Sequence, residues 1–429
     1  MAFPTSPVDG QLYTASSGTL YQYRQSDDSW NKISDGDLVI LKGASFPVTD
    51  PPRERFFYRT DLETLYMWSL DAEAWIDVSS SGFATSGAGA TGSNKNAIIN
   101  GDMTIAQRGT SFVSPGNAAY MLDMWKYTTS LGVSSHTVTQ DSDVPTDQYD
   151  YSMKFDCTSQ TPSPAAGNYV TPNCAIEGYN FKKFVGETAT FSFWVKASKA
   201  GTLSIAFRNN GADRVYVSDV TIDAINTWEY KTITLTFDYS GGSWNYTTSK
   251  GIQIFFGIMC GSTLSTSSTD QWLTGGYLAS TNTTNWVEST DDNIWLTGVQ
   301  LELGDNATDF EFLDYGNQLA MCQRYYQKSW DYGAAPATTT FNGALNYYIP
   351  AGLAGQFLIP FKVSMRAQPT LVLYSPIDAT VGSVYSNATD GNRTAVSNVD
   401  GDSNKSFVLT QATTVDSPIY AHYTLSAEL

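Results

Sequence analysis

Between residues 188 and 303, apolar and polar side chains alternate at period two through one short segment after another. In ATFSFWVKAS, Phe191, Phe193 and Val195 share a face; in TLSIAFRNNG, Leu203, Ile205 and Phe207 do. YKTITLTFDY alternates Thr232, Thr234 and Thr236 with Ile233, Leu235 and Phe237. GIQIFFGIM aligns Ile252, Ile254, Phe256 and Ile258, and IWLTGVQLELG aligns Val299, Leu301 and Leu303. Successive side chains of an extended strand point to opposite faces, so this pattern buries one side of a strand and would scatter around a helix. The turn strings NNG, YSGGS and GDN separate the segments. Together they predict an antiparallel, jelly-roll-like β-sandwich over 95–315. Within it, 262–293 is a long polar stretch carrying Trp272, Tyr277 and Trp286; a loop of that length in a compact domain is functional or loose.

The rest of the chain is also read as β. Residues 1–80 hold a tandem repeat in which Pro7 pairs with Pro52, Tyr13 with Tyr58, Leu20 with Leu65, Tyr21 with Tyr66, Trp30 with Trp75 and Ile33 with Val78. Each copy reads as strand, turn, strand, turn, strand. Units this small cannot bury a core alone, so they must pack on one another or on neighbouring chains. Residues 81–94, rich in Gly, Ala and Ser, are a flexible linker by composition. A connecting helix is expected within 316–330, where Leu319, Cys322 and Tyr326 fall at i, i+3 and i+7 and Asn317 is placed to cap the start. From 331 to 429 the strands FNGALNYYI, GQFLIPFKV, PTLVLYS, KSFVLTQ and IYAHYTL predict a second, smaller sandwich. The fold class is therefore all-β.

Charge narrows the partners. With 24 basic against 42 acidic residues the net charge is −18, which disfavours a phosphate backbone as ligand. Only 15 % of residues are charged while 14 % are aromatic, a balance that suits sheet surfaces. No run approaches the roughly 18 apolar residues of a membrane span, so no membrane insertion is expected. The start, MAFPTSPVDG, has no basic or apolar region of the kind found in a signal peptide. Cys157, Cys174, Cys260 and Cys322 show no metal-ligand spacing and are expected to be free thiols. A β-rich composition without export signal or disulfide framework fits a protein assembled in a cytosol and released by lysis.

Little in the sequence points to catalysis. His136 and His422 lie in no recognisable catalytic string and read as surface or packing residues. No GxSxG, HExxH or P-loop string occurs. Glycoside hydrolysis needs two carboxylates about 5–10 Å apart; Asp291 and Asp292 lie between Trp286 and Trp295, but strand neighbours point to opposite faces. Sugar binding fits better, since a sugar ring stacks its apolar face on an indole or phenol while amides and carboxylates take its hydroxyls. Trp244, Trp272, Tyr277 and Trp286 are the expected carbohydrate-binding aromatics, with Asn245, Asp270, Gln271 and Asn285 beside them. The alternative is that these rings fill the sandwich or a chain–chain interface. Trp194 and Trp228 flank core strands and are assigned to packing.

The strings AIINGDMTIAQRGTSF and AYMLDMW, then FSFWVKAS, NTWEYKTITLTF, WLTGVQLELG, ATDFEFLDYGNQLAMCQRYY, MRAQPTLVLYS and the terminal AHYTLSAEL, resemble fibre and receptor-binding proteins of tailed bacteriophages. The middle section is similar to the carbohydrate-binding-module-like jelly roll of such fibres, and the duplicated Trp/Tyr units to the parts that dock fibres on the particle. The resemblance implies a structural virion protein, a tail or collar fibre assembled in the host cytoplasm. It implies a homotrimer, attached by its N-terminal repeat to another virion protein and contacting host cell-surface polysaccharide. A virion-borne polysaccharide-degrading enzyme and a passive head or decoration fibre are the alternatives. No long repeat of the β-helical kind used by capsule-cutting phage enzymes occurs between 95 and 429, so no enzyme is expected. No cofactor is expected either. The one candidate is a structural calcium of the kind carried by such sandwiches, held by Asp102 with Asp292 or Glu302, which otherwise read as solvated turn carboxylates.

Overall fold

The alternating segments form two antiparallel sheets whose apolar faces meet. The computed structural model describes residues 95–429, except 132–134, 239, 351–353, 388–390, 395, 399–405 and 413–416, and the backbone of seven short strands before residue 80. One sheet runs Trp272–Thr274, Arg214–Ile222, Gly201–Asn209, Lys250–Gly257, Tyr169–Glu177, Trp125–Thr129, Ala119–Tyr120, with Met259–Cys260 added beside Tyr169–Glu177. The other runs Glu229–Thr236, Thr188–Ala197, Asn293–Leu303, Ser152–Cys157, His136–Asp141, Ser111–Val113. Phe191 meets Phe207 edge-on at 5.3 Å and Phe193 meets Phe256 at 5.4 Å, so the two inner faces interdigitate through aromatic pairs. The residues that alternation places inside are buried, except Leu303, which lies 46 % exposed at its strand's end.

The sheets' outer faces differ. On the larger sheet, Ala206, Val215, Val217 and Phe255 form a second apolar layer with Leu278, covered by Leu264, Leu273 and Tyr277. The long polar stretch thus folds over that face and buries it on both sides. The smaller sheet keeps its outer face open around Glu229–Thr236, where exposed and half-buried residues alternate with the buried ones.

The expected helix is shorter than its periodicity suggests. It spans Tyr315–Gln323 behind Asp314, not Asn317, and Tyr326 lies in the strand Tyr326–Lys328. That strand pairs with Thr424, Leu425 and Ser426, so pairing with the last strand overrides local helical spacing. The last strand, Ser417–Ser426, also pairs with Leu345–Ile349, Thr370–Tyr374 and Ser383–Ser386 around a separate core of Ile349, Met365, Val384, Ile419 and Leu425. A three-stranded sheet of Ala354–Pro360, Ser406–Ala412 and Val396–Asn398 accompanies it.

Polar contacts stitch this part to the sandwich. Glu177 is buried and accepts from Arg324 at 2.9 and 2.7 Å and from Tyr325 at 2.8 Å. Arg108 pairs with Glu428 at 2.5 Å, lies 3.7 Å from Asp123 and stacks over Tyr326. The chain divides into two compact units, Met1–Thr91 and Gly92–Leu429. In the first, Leu12–Thr14, Leu20–Arg24 and Ser29–Lys32 make an antiparallel meander. Phe56–Arg59, Thr64–Ser69 and Ala74–Asp77 make another, extended by Ile40–Gly43 in parallel pairing. The expected linker 81–94 lies outside the described residues.

Candidate functional site

The aromatics expected to bind sugar separate into three places. Trp244 and Trp272 meet, with ring centroids 5.7 Å apart. Trp244 also stacks on Phe181 at 9°, and Trp272 packs on Phe237 and Tyr216. Their indole N–H groups donate to the carbonyls of Gly241 and Thr236. Together they plug the edge of the core. Tyr277 belongs to the apolar layer on the larger sheet. Trp286 does not fit the expectation: at 1 % exposure it is part of the sandwich core, where no sugar can reach it. The polar residues beside them serve their own loops. Asn245 accepts from Thr247, Asp270 from Ser218, and Asn285 donates to the Thr161 carbonyl. Gln271 is exposed.

A different aromatic cluster lines a cleft on the open face of the smaller sheet. In Thr188–Ala197 the alternation that sends Phe193 and Val195 inward sends Trp194 outward, where it lies opposite Tyr230 on one neighbouring strand and Thr297 on the other. Trp194 is half-buried and its ring lies 5.2 Å from that of Tyr230, which is 40 % exposed. The pairing with Asn293–Leu303 slips between Ser192 and Trp194. At the slip sits Gly298, with φ +60°, a bulge that adds a residue and re-aims the neighbouring side chains. A Cβ there would fall 2.8 Å from the Tyr149 hydroxyl and 3.0 Å from the Trp194 ring.

Two segments wall the cleft. The first carries Thr146, Gln148 and Tyr149. It is fastened by Asp143, whose carboxylate accepts from Lys196 and from the Trp228 indole at 2.9 Å. Slight burial opposes ionisation of Asp143, but these two hydrogen bonds hold its carboxyl below the usual range. The second wall, 307–312, lies across the sheet because outward-facing side chains grip it. Glu302 accepts from the Thr308 N–H at 2.8 Å and hydroxyl at 2.6 Å, and Gln300 accepts from the Glu311 N–H at 2.9 Å. Phe310 and Phe312 lie 4.9 Å apart and 5.6 and 5.1 Å from Tyr149. The cleft encloses about 440 Å³ and is lined by Trp194, Tyr230, Tyr149, Phe310 and Phe312 with Thr146, Gln148, Thr308 and Asp309. Its size lies in the range of small-molecule sites. Burial pushes the Tyr149 hydroxyl up to about 12, so it is a neutral phenol that can hydrogen-bond but not ionise near neutral pH.

The candidate reactive groups are held in structural roles. Asp292 is buried and accepts from Lys199 at 2.9 Å and from the N–H groups of Glu288 and Ser289, whereas Asp291 is exposed. His136 is buried against Tyr127, and burial drives its imidazole down to about 3, partly offset by Asp292. His422 stacks on Trp330 at 4.1 Å, takes a hydrogen bond with Ser329 and another with the Thr340 carbonyl. Of the residues considered for calcium, Asp102 accepts from Gln318 and Thr104, Glu302 accepts from Thr308, and Asp292 pairs with Lys199. Among the described residues no group of three His, Cys, Asp or Glu side chains is placed to hold a metal ion. All four cysteines are free thiols.

No protein-family model matches the chain, and no curated protein matches it in sequence. Among solved structures, the enzymatically active domain of tailspike protein 4 of bacteriophage CBA120 is 16 % identical with a TM-score of 0.27. That match covers 49 % of this chain and only 22 % of the tailspike chain. A CBM4 structure is 17 % identical, TM-score 0.26, covering 48 % of this chain and 99 % of its own. The family 11 carbohydrate-binding module of Clostridium thermocellum, in complex with a β-1,3-1,4-mixed-linked tetrasaccharide, is 11 % identical, TM-score 0.25, covering 47 % and 98 %.

Proposed function

We propose that this chain is a structural fibre protein of a bacteriophage particle that contacts host surface glycans through the cleft on the smaller sheet. The observation that carries the glycan reading is the convergence of Trp194, Tyr230, Tyr149, Phe310 and Phe312 on one open cleft rimmed by Gln148, Thr146, Thr308 and Asp309. Rings accept the apolar face of a pyranose, and the rim meets its hydroxyls. Asp309 is the one carboxylate among the lining residues, whereas hydrolysis needs a pair, so binding without cleavage is the better reading. The fibre reading is supported by the family-like strings and by the N-terminal repeat. On this reading residues 1–80 attach to another virion protein, 81–94 give reach, and three chains associate. Three weak identical sites then hold firmly by simultaneous engagement.

The test is retention of the purified chain on polysaccharide extracted from the surface of the bacterium on which the particle grows, alongside light scattering. The reading expects a homotrimer whose retention is lost in the Trp194→Ala, Tyr230→Ala double variant without loss of fold. Equal retention of that variant would remove the cleft, and a monomer at micromolar concentration would remove the trimeric fibre.

A further inference from the structure

The cleft's chemistry also constrains what kind of sugar enters it, an inference that rests on the glycan reading above. Among its ten lining residues Asp309 is the only charged one. Its main chain is fixed, since its carbonyl accepts from Lys95 at 2.5 Å and from Gln300 at 3.3 Å. Its carboxylate is exposed and, among the described residues, makes no hydrogen bond or ion pair. Asp309 lines the same cleft as the phenols of Tyr149 and Tyr230; burial raises both hydroxyls, and the Asp309 charge adds to both shifts. A free acceptor thus stands among rings that stack sugars.

No lysine or arginine is among the cleft's lining residues, and the neighbouring lysines already hold acceptors. Lys196 is paired with Asp143 and packs 4.3 Å over Trp295. Lys154 is paired with Asp156, and Lys231 with Glu229. Lys95 donates to the Thr308 hydroxyl and the Asp309 carbonyl, on the backbone of the cleft wall. The net charge of −18 adds a repulsive background for any polyanion.

We propose that Asp309 is the specificity-determining residue of this cleft, accepting hydroxyls of an uncharged pyranose and excluding sugars that carry carboxylate or phosphate. A carboxylate is a strong acceptor for two adjacent hydroxyls, and a like charge brought beside it is repelled.

The experiment is a glycan array bearing neutral, amino-bearing, uronate, sialate and phosphate-substituted glycans, probed with the full chain at pH 7 and physiological salt. Wild type, Asp309→Asn, Asp309→Lys and Trp194→Ala are compared, each checked for fold by circular dichroism. Wild type should retain neutral glycans and hold their acidic counterparts at least about tenfold more weakly. Asp309→Asn should lose about tenfold on the neutral ligand and narrow the neutral-to-acidic gap, and Asp309→Lys should reverse it. Acidic glycans bound as well as neutral ones by wild type would overturn the proposal. So would an unchanged ratio in Asp309→Asn; if Trp194→Ala still abolished binding, the cleft would stand and only the role of Asp309 would fall. Retention of no glycan by folded wild type would overturn the site and this inference together.

Discussion

Gly298 shapes the cleft floor, and replacing it by alanine should disturb both stability and binding. Its φ of +60° is a left-handed conformation, which costs a residue with a Cβ about 1–2 kcal/mol. The added methyl would also meet the Tyr149 hydroxyl at 2.8 Å and the Trp194 ring at 3.0 Å. Tyr149 cannot swing away freely, because Phe310 and Phe312 pack on its ring. Overpacking of this kind costs about 1–3 kcal/mol, so Gly298→Ala should lose about 2–5 kcal/mol in all. Gly241 provides the control: its φ is +73°, yet a Cβ there meets nothing within 4 Å. Gly241→Ala should lose only the backbone share, about 1–2 kcal/mol, and leave glycan retention unchanged. Urea unfolding and retention on the same glycan measure both. Equal destabilisation by the two variants, or full glycan retention by Gly298→Ala, would refute the argument that this bulge positions Trp194 and Tyr149.

Three other outcomes are expected. Trp286→Ala should cost about 3–5 kcal/mol in urea unfolding, as a large side chain leaving a packed core does, whereas the folded fraction should still bind glycan; selective loss of binding would return Trp286 to the site. Arg108→Met should destabilise the fold by about 3–5 kcal/mol, because the carboxylates of Asp123 and Glu428 are buried beside it and would lose their cation; a neutral result by thermal or urea melts would contradict the account of how the C-terminal sheets are joined to the sandwich. For His136 the imidazole is lower in the folded chain, at about 3, than the ordinary 6.5. The unfolded chain therefore takes up the proton first as pH falls. The stability tied to neutral His136 is complete above pH 6.5 and lost progressively between pH 6.5 and 3, by about 1.4 kcal/mol per pH unit. The difference in unfolding free energy between wild type and His136→Phe should narrow or invert over that window, and a constant difference would refute it.

Much of the sandwich is legible in the sequence because period two is a strong constraint: Phe191, Phe207, Ile254 and Leu301 are where alternation puts them. The same rule, carried one residue further, puts Trp194 outside, so that this part of the candidate site is legible in the sequence. Gly298 also leaves a trace. Ile294 and Leu296 are buried on one phase, Val299 and Leu301 on the other, and a glycine at a phase change marks a bulge. The wall made by Phe310 and Phe312 leaves none, since its place depends on Gln300 and Glu302 gripping a segment without regular structure. Trp286 shows the opposite failure. Its polar neighbours suggest a loop, but its backbone N–H donates to the Ile258 carbonyl and its ring enters the core.

The central claim, that the open face of the smaller sheet is the glycan site, is met most directly by a crystal structure of the chain soaked with its best-retained oligosaccharide. A pyranose ring stacked on Trp194 or Tyr230 with a hydroxyl at Asp309 is the predicted result. Sugar density seated instead at Trp244 and Trp272, with the cleft holding only solvent, would contradict it.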